Sequence, residues 1–206
     1  SRISDVIKVV TQSPWSHATL YIGRLHDIEN EVSRSALTRR SAFPPSTQLV
    51  VESQLGAGTI VRALTEYTDD HVRICRPVGL SAEDAQTIST HAINSLGLNY
   101  DIRQIFDLAR FLFPWGILPR RWRSSLFRTR AGSETRTVCS TMIAEAFAAV
   151  EFPILPLVQR GEQDRIRLYR RNPKLCTPSD FDYSPYFEII KYPFYDFADT
   201  SSYKLL

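Results

Sequence analysis

The sequence predicts an α+β fold in which antiparallel strands pack against helices. Three observations carry this expectation: short β-branched runs, segments with a 3.6-residue apolar period, and an order of the two that never settles into the strand–helix–strand alternation of a parallel sheet. A chain of 206 residues can bury a substantial core, and a single domain over residues 1–206 is expected. Its 43% apolar and 23% charged residues are ordinary for a globular protein, and a formal charge of +3 is too small to imply nucleic acid.

A short helix is expected near Ile3 to Val10, then an extended segment from Ser16 to Gly23 with its strand at Ala18 to Ile22. Alternation puts His17, Thr19 and Tyr21 on one face and Ala18, Leu20 and Ile22 on the other, so the apolar set can face a core while the imidazole looks into a cleft. Asp27 to Pro45 is polar, with adjacent prolines and scattered Arg and Ser, and reads as a long loop of the kind that often carries recognition. Gln48 to Gln54 and Val72 to Arg76 read as further strands. Ser81 starts a helix with Glu83 and Asp84 in its first turn, continuing to about Leu96 and stopping at Gly97. Another helix near Ile102 to Phe111 stops before Pro114. Met142, Ile143, Ala146, Phe147 and Val150 lay an apolar face along a helix whose first turn holds Cys139, and Phe187 to Lys191 has strand propensity. The sequence shows no internal repeat.

Cys139 is the candidate nucleophile. Backbone N–H groups in a first helical turn lack intrahelical partners and the dipole there is positive, so a thiolate is stabilised and a developing oxyanion can be bound. An isolated cysteine is otherwise most often a small core hydrophobe, and a strand histidine is most often structural. His17 is the candidate base. Glu52, in the β-branched run Gln48 to Ser53, is the candidate orienter, a carboxylate that accepts the ring N–H facing away from the nucleophile; composition alone equally allows a solvated strand-end glutamate.

In the order His17, Glu52, Cys139, these residues resemble the permuted papain-like cysteine hydrolases, the YiiX-like branch of the NlpC-type superfamily. Ordinary members run Cys, His, polar orienter, whereas the permuted branch places the His strand first and the Cys helix last. The resemblance extends over Ser13 to His17, Val51 to Ser53, Arg76 to Ser81, Leu96 to Asp101 (similar to the Gly-x-x-Tyr-Asp stretch before the nucleophile), Thr177 to Phe181, and Ser184-Pro185. It implies a papain-like sheet or small barrel against helices, with Cys139 as nucleophile, His17 as base, Glu52 as orienter and Tyr100 as a wall of the substrate cleft. Tyr21 matches the His-x-x-x-Tyr pattern of the related lecithin:retinol acyltransferase group. The implied activity is thiol-dependent hydrolysis, through an acyl-enzyme, of an amide or ester bond in a cell-wall peptide or an acylated, amphiphilic substrate. The alternatives are a lipid-acting acyltransferase or thioesterase, or a binding module whose thiol is idle. The chain opens at Ser1 without the short strand that precedes the His strand in that family, and any targeting segment upstream is not visible.

The second departure from the family is an insertion at about Ala109 to Glu134. Within it Phe111 to Leu118, rich in apolar and aromatic side chains, is followed by Arg120, Arg121, Trp122, Arg123, Arg128 and Arg130. Such a composition suits contact with a membrane surface or an anionic amphiphile through the Phe111 to Arg130 flap, as well as a locally packed flap with a solvated rim. It is too short and too broken by proline to span a bilayer. Three cysteines without close spacing argue against a disulfide framework or a zinc cluster, and His26, His71 and His91 lack ligand spacing, so neither metal nor cofactor is expected. Cys75 and Cys176 read as structural. Compartment and oligomeric state have no sequence signal, although a free reactive thiol slightly favours a reducing environment.

Overall fold

The computed structural model describes residues 15–54, 57–98, 139–160 and 166–190. The helices expected near Ile3 to Val10 and Ile102 to Phe111, Tyr100 and the flap lie outside the described residues.

The architecture is α+β with antiparallel sheets. Strands β1 (Leu20–Arg24), β2 (Gln48–Gln54) and β3 (Gly58–Ala63) form one sheet in that order. Two antiparallel ribbons pair β4 (Ile74–Pro77) with β7 (Phe187–Ile190) and β5 (Leu157–Arg160) with β6 (Ile166–Tyr169). The pairing is therefore divided, among the described residues, over three small sheets rather than gathered into one sheet or barrel. The described helices are α1 (Glu31–Arg40), α2 (Ala82–Asn94), α3 (Cys139–Ala149) and α4 (Pro178–Tyr183).

Helix α1 corrects the long-loop reading of Asp27 to Pro45. Asn30 caps it by accepting the Ser33 N–H at 2.9 Å, Glu31 lies in the positive first turn, and Arg39 and Arg40 lie in the negative last turn. Its polar composition hides the helix because only Ser33 and Leu37 are buried, too few to show a 3.6-residue period. Helix α2 follows its signals: Ser81 accepts the Asp84 N–H at 3.0 Å, and Gly97, three residues past the last helical position, takes the positive φ of 85° that lets the chain turn away. Gly97 and Leu98 then hydrogen-bond to Thr59 of β3, at 2.8 Å in both directions.

Central to the core is α3. It is buried nearly all round rather than along one face, with Cys139 to Ala144, Ala146 and Phe147 all inaccessible. It packs against α2, against β2 and against the 3-10 turn Pro173–Leu175. Leu49 and Val51 of β2 meet Met142, Ile143 and Ala146 of α3 and Ile88, Ala92 and Ile93 of α2 in one apolar cluster. Because β2 is the middle strand, its residues from Leu49 to Ser53 are buried on both faces. This is how a carboxylate on β2 comes to lie inside the protein beside α3.

Candidate active site

The segment that enters β1 supplies the imidazole. Strand β1 begins at Leu20, two residues later than its sequence reading, and His17 sits in the extended lead before it. Strand β2 supplies the carboxylate: Leu20 pairs with Val51, so the lead passes alongside Glu52. Helix α3 supplies the thiol, Cys139 being its first described residue. Thus the structure brings together the three side chains that the sequence singled out, from positions as far apart as 17 and 139. Their environments differ sharply: the side chain of Glu52 is 1% exposed and that of His17 35%, while Cys139 as a whole is 2% exposed. The alternative of a solvated Glu52 is therefore excluded.

Nε2 of His17 bonds to Oε2 of Glu52, and the imidazole also interacts electrostatically with the Cys139 sulfur. With Nε2 committed to the carboxylate, Nδ1 is the nitrogen left for the sulfur. Burial disfavours the imidazolium, but hydrogen bonds to Cys139 and Glu52 and the charges of both outweigh it and push the His17 pKa up to about 10. Burial would raise the Cys139 thiol, yet the His17 hydrogen bond and charge, with the backbone N–H groups of Ala18 and Ser140, hold it below its ordinary value. Burial likewise works against the Glu52 carboxylate, and His17, Tyr67 and Arg62 keep it below the usual carboxylate range. These directions favour movement of the thiol proton to the imidazole, with a buried carboxylate behind the ring.

Other groups at the site were not legible from the sequence reading. Gln54 Nε2 donates to Glu52 Oε1 at 2.8 Å, and Arg62 Nε lies 3.4 Å from the same oxygen. The buried Tyr67 hydroxyl faces Glu52 without the geometry of a full hydrogen bond. Recognition of Gly58–Ala63 as the hairpin partner of β2 would have revealed Arg62, since Glu52 opposes Ile60 and Arg62 is the diagonal neighbour on the same face. In front of His17, Trp15 Nε1 donates to Asp182 at 2.9 Å.

Tyr21 lies on β1 and is 51% exposed, while Tyr100 is outside the described residues. A groove of about 440 Å3 lined by Leu25, His26, Arg34, Ser35, Thr38, Arg39 and Pro45 lies past the opposite end of β1 and contains none of the candidate residues. Among the described residues no group of three His, Cys, Asp or Glu side chains is arranged to hold a metal ion, and no helix is long and apolar enough to cross a membrane. Neither a family model, nor a curated protein, nor a solved structure matches the chain.

Proposed function

We propose that the protein is a thiol-dependent hydrolase of the permuted papain-like kind, with Cys139 as nucleophile, His17 as acid and base, and Glu52 as orienter. The observation that carries this reading is the placement of one imidazole between a buried thiol and a buried carboxylate. A structural histidine needs neither an acidified thiol nor an inaccessible carboxylate, whereas covalent acyl transfer uses both.

In the resting pair the thiol proton already resides on His17. The thiolate attacks a carbonyl carbon, the carbonyl electron pair moves to oxygen, and backbone N–H groups at the start of α3 are the donors proposed for that oxyanion. As the adduct collapses, the proton on His17 passes to the leaving nitrogen or oxygen, which departs as an amine or alcohol and leaves a thioester on Cys139. Neutral His17 then draws a proton from water, which attacks the thioester and regenerates the thiolate–imidazolium pair. Throughout, Glu52 fixes the ring and balances its charge. An alcohol or amine acceptor in place of water would give an acyltransferase from the same residues.

The proposed substrates are amides or esters of a small peptide or an acylated, amphiphilic molecule, with Tyr100 and Tyr21 as walls of the cleft and the Phe111 to Arg130 flap as a membrane-facing element. The test compares turnover of a muropeptide, an N-acyl amino acid and a phospholipid by the wild type, Cys139→Ser and His17→Ala. Turnover of one substrate that disappears in both variants is the expected result. Loss in Cys139→Ser alone contradicts the dyad, and no turnover together with an ordinary thiol pKa at Cys139 favours a binding module.

A further inference from the structure

The carboxylate behind His17 is itself held from behind. Glu52 gives Oε2 to His17, while Oε1 accepts the Gln54 amide at 2.8 Å and lies 3.4 Å from Nε of Arg62. That same Nε stands 3.5 Å from Oε2 of Glu66, so the guanidinium bridges two carboxylates. The hairpin register produces the arrangement: Val50 opposes Arg62 and Glu52 opposes Ile60, which makes Glu52 and Arg62 diagonal neighbours on one face. The 3-10 turn Leu64–Tyr67 that follows β3 then delivers Glu66 to the same Nε and Tyr67 toward Glu52.

A carboxylate this inaccessible loses its hydration, and unpaired it would take up a proton. His17 helps only while it is protonated, a state that rests on both Cys139 and Glu52, so its charge depends on the rest of the site. Arg62 adds a charge that does not depend on the site, since a guanidinium is charged at every pH of interest. The Gln54 amide donates to Oε1 and the Arg62 charge lies against the same oxygen, an arrangement that leaves Oε2 to face the ring. Glu66, half-exposed, approaches the same Nε.

We infer that Arg62 is a positioning residue of the Cys139 site, holding Glu52 ionised and aimed at His17. The inference rests on the reading of Cys139, His17 and Glu52 as a catalytic set, and the experiment separates the two. Iodoacetamide labelling of Cys139 is followed against pH in the wild type, Arg62→Met, Arg62→Gln and Arg62→Lys, with the melting temperature of each. In the wild type the acid limb of labelling should lie well below the free-thiol value of about 8.5. In Arg62→Met and Arg62→Gln it should move up by about one pH unit, a roughly tenfold slower labelling at the wild-type midpoint, and Arg62→Lys should recover most of the shift. If Arg62→Met does not fold, Arg62→Gln, which keeps a polar donor without the charge, gives the same reading. A lowered melting temperature with an unchanged profile would make Arg62 merely structural and overturn the inference while leaving the hydrolase reading intact. An ordinary thiol pKa in the wild type would overturn both.

Discussion

Trp15 and Asp182, 167 residues apart in the chain, are joined by an indole N–H to carboxylate hydrogen bond of 2.9 Å. Asp182 also accepts from Arg73 at 2.6 and 2.7 Å, the Arg73 guanidinium lies 5.0 Å from the indole ring centre, and His71 stacks on the same indole at 5.5 Å. Since Trp15 precedes His17 by two residues, this cluster fixes the path by which the chain approaches the imidazole. It ties the lead into β1 to the start of β4 and to α4, two parts of the fold that contribute no group to the thiol site itself.

Replacing Asp182 by Ala should therefore act at a distance. The lost indole bond and the half-exposed Arg73 pair together should cost about 1–2 kcal/mol, a fall of several degrees in melting temperature. Labelling of Cys139 should slow severalfold as His17 loses its fixed approach. Burial opposes ionisation of Asp182, but Arg73 and Trp15 hold its carboxyl below the usual range, so the stability it contributes is present above about pH 3.8 and is lost as pH falls through the folded value. Melting curves of the wild type and the variant should accordingly converge in acid. Unaltered labelling would show that the lead is fixed by other contacts.

The sequence made the thiol, the imidazole and the carboxylate legible because each carries its chemistry in its residue type and lies in a strongly patterned segment. Strand β2 was read with its observed bounds, and α2 nearly so, because Ser81 and Gly97 punctuate it. Helix α1 is hidden in the sequence because Leu37 is its one buried apolar side chain, and β3, β5 and β6 because runs of four to six residues give little alternation to count. Arg62 and Asp182 were invisible for a different reason. Their roles are set by strand register and tertiary docking, and an isolated Arg or Asp reads as solvated surface.

Glu52→Gln tests the charge behind the ring at nearly constant shape. Removing the carboxylate takes away one of the two groups that raise His17, so its pKa should fall from about 10 toward 6.5. NMR titration of the His17 ring reads this directly. A folded pKa raised above the unfolded value contributes stability that is complete below about pH 6.5 and is lost as pH rises through about 10. The wild type should thus lose melting temperature across that interval more steeply than the variant. With any substrate found, kcat should drop by about 10²–10⁴. A His17 titration unmoved by the substitution would contradict the assignment of Glu52.

Phe147→Ala separates scaffold from chemistry. The Phe147 ring meets Phe187 edge-on at 5.4 Å and Phe152 at 5.5 Å, and Phe187 carries the contact on to Phe181 at 5.8 Å, so α3, α4 and β7 share one aromatic cluster. Truncation should cost about 3–5 kcal/mol in denaturant unfolding. The pH profile of Cys139 labelling in the folded fraction should remain that of the wild type, because the aromatic partners of Phe147 are Phe152 and Phe187, not the groups that shift the Cys139 thiol. A shifted profile would mean that α3 moves as a whole when its far end is loosened.

Ser140 joins the two effects. Its hydroxyl donates to the carbonyl of Cys176 at 2.6 Å, both residues are buried, and the bond pins the first turn of α3 to the 3-10 turn Pro173–Leu175. In Ser140→Ala that carbonyl loses a buried donor, which should cost about 1–3 kcal/mol. The backbone N–H of Ser140 is one of the groups that lower the Cys139 thiol pKa, so a helix start free to drift should also raise the labelling pKa of Cys139. Ser140→Cys restores a donor that is weaker and longer, and should recover stability less completely than it recovers fold. If Ser140→Ala loses stability while the labelling pKa stays low, the first turn is held in place by its packing against β2 and α2, and the hydroxyl serves the core alone.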